Sequence, residues 1–236
     1  MKKIKIIILS VFLYAAAGVS YAAGPIQGTG GTASSGKGGT GLSASGVDYF
    51  ILNPAAISAE ERVFFSTGYG SLEGDFIFSD SLFAYPTSYG VLGGNFRYLS
   101  GYDSDDDVKD YAFSLGIGKG ITSRFAFGIG LKGMYRDDEI GDYYSGVNTG
   151  IQYRLKGTVK SSGFGFFEPV AGAASDLGYY SDKGTDLNSI NAGYSFGFYK
   201  NDYTILRFYN DFSVVNRFRD YPVKLGLESL FFNRLT

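Results

Sequence analysis

The sequence predicts an all-β chain, an antiparallel transmembrane β-barrel, and three observations carry that expectation. The first is strict two-residue alternation. In Tyr111 to Lys132, Tyr111, Phe113, Leu115 and Ile117 share one face of a strand, and Ala112, Ser114, Gly116 and Gly118 share the other. After Thr122-Ser123 the pattern resumes, with Phe125, Phe127, Ile129 and Leu131 set against Ala126, Gly128, Gly130 and Lys132. Strand side chains point alternately to opposite faces, so this stretch reads as a hairpin, whereas a helix would scatter both sets around its axis. The second observation is that the face opposite the rings is Gly, Ala and Ser. A soluble sandwich covers its water face with charged and long polar residues, so small residues there fit an enclosed interior, with the bulky face toward lipid. The third is composition: Tyr 20, Phe 21 and Gly 35 in 236 residues, with no Trp, ordinary for short strands, turns and aromatic girdles.

Three segments follow in order. Residues 1–23 read as a signal peptide. Lys2, Lys3 and Lys5 precede an apolar run from Ile6 to about Val19, and Ser20-Tyr21-Ala22 supplies small residues for cleavage after Ala22 or Ala23. A membrane anchor is the alternative, but the run is short and no basic stop follows. Loss of three lysines and no acids takes the formal charge from −2 to −5, a balance unsuited to nucleic acid. The predicted localisation is the outer membrane of a diderm, Gram-negative-type bacterium, reached by Sec export.

Residues 24–61 form a Gly- and Ala-rich hatch or plug segment. Gly31 to Lys37 matches the first seven positions of a phosphate-binding loop, yet Gly38 stands where Ser or Thr must follow the Lys, so nucleotide binding is not expected. Asn53-Pro54 starts a turn, and Pro54 to Ser58 is placed to begin a short helix with Pro in its first turn.

Residues 62–236 hold the alternating runs: Val63 to Gly70, Asp75 to Tyr85, Tyr89 to Gly101, Lys109 to Gly120, Arg124 to Arg136, Ser145 to Leu155, Gly163 to Leu177, Asn188 to Tyr199, Tyr203 to Val214 and Pro222 to Phe232. Most are long enough to cross a bilayer as tilted strands. Thr122-Ser123 and Asn201-Asp202 are expected to be tight turns. Tyr102 to Lys109, Asp137 to Tyr144 and Ser181 to Asp186 are expected to be longer acidic loops on the other side.

With bulky residues outward, Asn95, Arg97, Lys132, Asn148, Gln152, Arg154, Arg207, Lys224 and Glu228 turn inward, where charge is tolerated. That set leans cationic. It either attracts an anionic head group or is paired with acids from loops or the hatch. Asp103 to Asp110 is acidic enough to suggest Ca²⁺ but lacks the Gly and Glu positions of an EF-hand loop, so no metal or other cofactor is expected. The chain has no Cys and no His, which removes disulfides, thiolate metal sites and the usual acyl-transfer base; an enzyme is not expected.

The order Gly41, Ala44, Asp48, then Asn53, Pro54 and Ala55 ahead of the first strand resembles the FadL-type outer-membrane transporters of hydrophobic compounds and the related PorV-type proteins. Ala56-Ile57 departs from the Gly-Leu common in those families. The stretch Val223 to Thr236, with its Gly226-Leu227-Glu228, resembles a late strand of the same family. The resemblance implies a hatch inside a barrel of about fourteen strands where ten runs are visible. Either the reading frame continues beyond Thr236 or a smaller ten-stranded barrel closes. It also implies passive transport of a hydrophobic or amphipathic small molecule such as a fatty acid, with membrane lipid as the standing partner. Two alternatives stay open: a PorV-like partner of secretion-system proteins in secretion or surface attachment, and a structural surface barrel.

Overall fold

The structure, a computed structural model, describes residues 40–71, 77–103, 106–137, 143–156, 163–180, 185–200, 204–215 and 223–231. The predicted signal peptide, the stretch from Gly31 to Lys37 and the first part of the hatch lie outside the described residues.

Two short 3-10 turns, Val47–Tyr49 and Pro54–Ala59, precede ten strands: β1 (Phe64–Ser71), β2 (Ile77–Thr87), β3 (Gly90–Asp103), β4 (Asp106–Gly120), β5 (Phe125–Asp137), β6 (Tyr143–Arg154), β7 (Gly163–Tyr180), β8 (Thr185–Lys200), β9 (Thr204–Val215) and β10 (Val223–Phe231). They form one sheet in sequential order, each antiparallel to the next. Every alternating run of the sequence is a strand, because consecutive runs separated by a few residues pair most cheaply with each other.

The ten strands do not close on themselves. Among the described residues no hydrogen-bonded ladder joins β1 to β10, so the sheet has two edges and the smaller closed barrel is not what forms. The expected contrast between tight turns and long acidic loops is also weaker than the sequence implied. β3 and β4 stay paired to Asp103 and Asp106, across residues read as a loop. Cross-strand backbone hydrogen bonds do not depend on side-chain charge, and each added pair satisfies backbone groups.

The two faces differ in what covers them. Phe96, Phe113, Leu115, Ile129, Leu131 and Ile151 are exposed, whereas Gly128, Gly130, Asn148, Gly150 and Gln152 on the other face are buried. On the exposed face a line of tyrosines crosses five strands. Tyr98 pairs with Tyr111, Tyr111 with Tyr135 and Tyr135 with Tyr143, and the Tyr143 ring lies 6.2 Å from that of Tyr179. A second aromatic group lies toward the opposite strand ends, where Phe125 pairs with Tyr153 and the rings of Phe164, Phe166, Phe196, Tyr199 and Phe208 crowd together. Tyr143 and Tyr153 bound β6 with one strand face between them. At ~3.4 Å per residue and a tilt of ~40°, the two lines stand roughly 25 Å apart. Among the described residues, the exposed face between them carries one charged side chain, Lys119, in register with Phe127 next to the second aromatic group. Charge returns one step outside, where Lys109 pairs with Asp137.

The covered face packs against residues 40–60. Val47, Phe50, Ile51 and Ile57 form a buried cluster with Leu82 and Ala84 of β2 and Val91 of β3, with Phe64 of β1 against it. Ala44, Tyr49 and Ala56 pack on Tyr209 of β9. A flat sheet would place β1 and β9 about 38 Å apart, eight spacings of ~4.8 Å. Since one short folded segment touches both, the sheet curls around it. Irregularity is confined to the later strands: register shifts interrupt β7–β8 near Phe167 and β8–β9 between Gly197 and Tyr199.

Candidate functional site

The candidate site is the junction between this segment and the inner face, and it begins with Asn53. Its extended backbone caps the Pro54–Ala59 turn, the side-chain Oδ1 accepts from the Ala55 N–H at 3.0 Å, and Pro54 occupies the first position, where a missing N–H costs nothing. The Asn53 amide donates to the Leu42 carbonyl at 2.7 Å and to the Ile151 carbonyl on β6 at 3.0 Å. One side chain therefore shapes the turn, folds the segment back on itself and ties it to the sheet. Gly46, with φ 124°, makes the second fold-back, its N–H donating to the Ala56 carbonyl at 2.9 Å. That backbone region suits Gly because it has no Cβ. Asn53, Ala55, Ala56 and Ile57 are fully buried.

The inner glycines explain how closely the segment lies. A Cβ on Gly118 would stand 2.6 Å from the Pro54 carbonyl oxygen, and one on Gly93 would stand 2.6 Å from the Ile57 side chain. Cβ atoms on Gly128, Gly150 and Gly172 would strike Pro54, the Asn53 amide and the Leu42 carbonyl. The small-residue face is thus a bed for backbone, with no bulky side chain that could fill it.

Polar side chains grip the same backbone. Asn148 donates to the Ile51 carbonyl at 2.9 Å. Gln152 donates to the carbonyls of Leu42, at 3.2 Å, and Ala44. From β9, the buried Asp211 carboxylate accepts the N–H groups of Gly41 at 2.7 Å and Leu42 at 3.1 Å through one oxygen. Tyr209 donates to Glu228 at 2.7 Å beside Tyr49. Burial, then the charges of Glu228 and Asp48, holds the Tyr49 phenol well above the ordinary tyrosine range, so it stays protonated.

The charged residues of the inner face form a separate set. Arg97 meets Asp80 at 3.4 Å, and Asn95 donates to the same carboxylate. Lys132 meets Asp176 at 2.7 Å, Arg207 meets Glu168, and Arg136 binds Asp110 through two hydrogen bonds of 2.8 and 3.1 Å. Lys224 is half-buried and stands in register with Asp211. Arg154 shares the inner parity of β6 but is exposed at the strand end, apart from the others.

The predicted residues therefore divide into two groups. Asn53, Pro54, Ala55, Asn148 and Gln152 meet in the segment junction, while Asn95, Arg97, Lys132 and Arg207 join ion pairs and polar contacts with strands one or two away. Among the described residues the cationic lean is largely offset, because Asp80, Asp110, Asp176, Asp211 and Glu228 share the inner face and Glu168 reaches Arg207. The partners are strand residues, where loop or hatch acids were expected. Asp80, Asp110, Asp176 and Asp211 could have been found from the same two-residue alternation. Glu168 could not: it sits in the β7 irregularity with φ 45°, between buried Phe167 and Pro169, where alternation breaks. Asp110, the last acid of the suggested Ca²⁺ stretch, is 1% exposed and committed to Arg136.

No protein-family model matches the chain, and no curated protein sequence matches it. The FadL-type and PorV-type resemblance accordingly rests on the residues named above.

Proposed function

We propose that the chain is a non-catalytic outer-membrane β-barrel protein that admits hydrophobic or amphipathic small molecules, such as fatty acids, with residues 24–61 as its internal plug. The observation that carries this reading is the exposed face: an aliphatic and phenylalanine band about 25 Å tall, bounded by aromatic lines and, among the described residues, charged only at its margin, by Lys119. In water that band would be a large aggregation-prone patch; against acyl chains it is a solvent match. Lipid also demands that strand edges be paired, so the edges of β1 and β10 are expected to be satisfied in the membrane. The test is to refold the protein into vesicles and follow entry of a labelled fatty acid. Uptake above protein-free vesicles supports transport, and a protein that stays folded and soluble without detergent removes the whole reading.

The second reading is a PorV-like partner in protein secretion or surface attachment. It is favoured by the inner ion pairs, which leave Arg97, Lys132 and Arg207 engaged with carboxylates and shift interest to the outer surface and loops. Co-purification with a secreted protein, with no solute uptake, would select it.

A further inference from the structure

We propose that residues 40–60 are a resident clasp that holds the sheet curled, and that they stay docked during function instead of leaving as a hatch. Among the described residues, no ladder joins β1 to β10, yet both flanks of the sheet are held by the same segment. One flank is held by apolar packing: Phe64, Leu82, Ala84 and Val91 surround Val47, Phe50, Ile51 and Ile57. The other is held by Tyr209 against Ala44, Tyr49 and Ala56, and by Asp211 on the Gly41 and Leu42 N–H groups. Asn148 and Gln152 grip the middle.

Those grips are to main-chain groups of a segment that is neither helix nor strand over much of its length. Its peptide groups depend on sheet side chains for partners, and the side chains depend on it. Withdrawal would strip both sets at once, inside a surface too crowded for a substitute side chain to enter. A gate needs an alternative position with comparable bonding; a clasp needs only the one observed. The proposal stands whether the barrel carries a solute or docks a secretion partner.

The full chain has no Cys, so single thiols report cleanly. Ser43 is 2% exposed and Ser45, two positions along the segment, is exposed. In vesicle-embedded protein, Ser43→Cys should react with a water-soluble maleimide at least ~100-fold more slowly than Ser45→Cys, reflecting opening close to global unfolding. Added oleate should leave that ratio unchanged. Comparable rates, or a tenfold or greater acceleration by oleate, would overturn the clasp; Ala55→Cys reports the same if Ser43→Cys does not fold. Asp211→Asn in the Ser43→Cys background supplies the second arm. Faster labelling together with earlier loss of the compact, heat-modifiable gel form supports the clasp. Faster labelling with that form unaltered shows a sheet that curls without the segment, and unaltered labelling shows that Asp211 does not hold it; either sinks the proposal. None of these readouts depends on uptake, so failure of the transport reading is seen separately.

Discussion

Adjacent residues of β5 live in opposite worlds. Ile129 and Leu131 are exposed side chains with nothing among the described residues above them, while Gly128 and Gly130 lie under the backbone of Pro54 and the ring of Phe50. One face has size without neighbours, and the other has neighbours without size. The difference teaches that the small-residue face is specified by what lies on it. Glycine is placed where another stretch of main chain must approach within van der Waals distance, and bulk is placed where nothing in this chain competes for the space.

That contrast can be broken most severely from the inside. Gly150→Val should cost about 4 kcal/mol or more, combining about 1–3 for overpacking with about 1 for each Asn53 hydrogen bond displaced. Urea unfolding of the vesicle-embedded protein, followed by the heat-modifiable gel shift, would measure it; a loss below about 1 kcal/mol would mean that the segment yields easily. Next in size is a charge on the outside. Leu131→Lys should cost about 2 to 4 kcal/mol in vesicles if that face meets the bilayer midplane, and almost nothing if it meets water.

The neighbouring swap in the opposite direction sharpens the comparison. Lys132→Met removes the partner of Asp176, whose side chain is 22% exposed, and should cost about 1–2 kcal/mol because water replaces part of the lost bond. A smaller cost for Leu131→Lys than for Lys132→Met would contradict the assignment of faces. The smallest effect belongs to the aromatic line. Tyr135→Leu keeps apolar bulk but loses ring contact with Tyr111, centroids 6.4 Å apart, and should cost about 0.5–1 kcal/mol by the same assay.

How much of this was legible depends on whether the signal is local. Ten strands, their order of pairing and the split of Phe127, Ile129 and Leu131 from Gly128, Gly130 and Lys132 follow from a period that any short window displays. The capped turn at Asn53-Pro54 is equally local, because its bonds span only a few residues. Alternation puts Asp80 and Asp176 on the inner face, but which acid meets Lys132 or Arg207 was not legible. Asp176 lies on a strand two away from Lys132, and only strand tilt and curl carry Nζ to its carboxylate across the intervening β6. The inner-face position of Asp211 is local, but its hold on the segment is not: its contacts, Gly41 and Leu42, are 170 and 169 residues away along the chain. The β3–β4 hairpin is longer than the sequence implied because an acidic run reads as a loop, whereas backbone pairing continues through it to Asp103 and Asp106.

By itself the sequence determined which residues share a strand face, where the strands turn, and that the segment ahead of them would carry a proline-started turn. Those features are set by backbone stereochemistry and by the two-residue period, which act between near neighbours. The tertiary structure alone decided that residues 40–60 lie on the glycines, that strand acids pair with Arg97, Lys132, Arg136 and Arg207, and that β1 and β10 are not paired with each other among the described residues. Each of these depends on how far ten twisted strands curl around a packed segment, a quantity summed over the whole sheet that no local pattern contains.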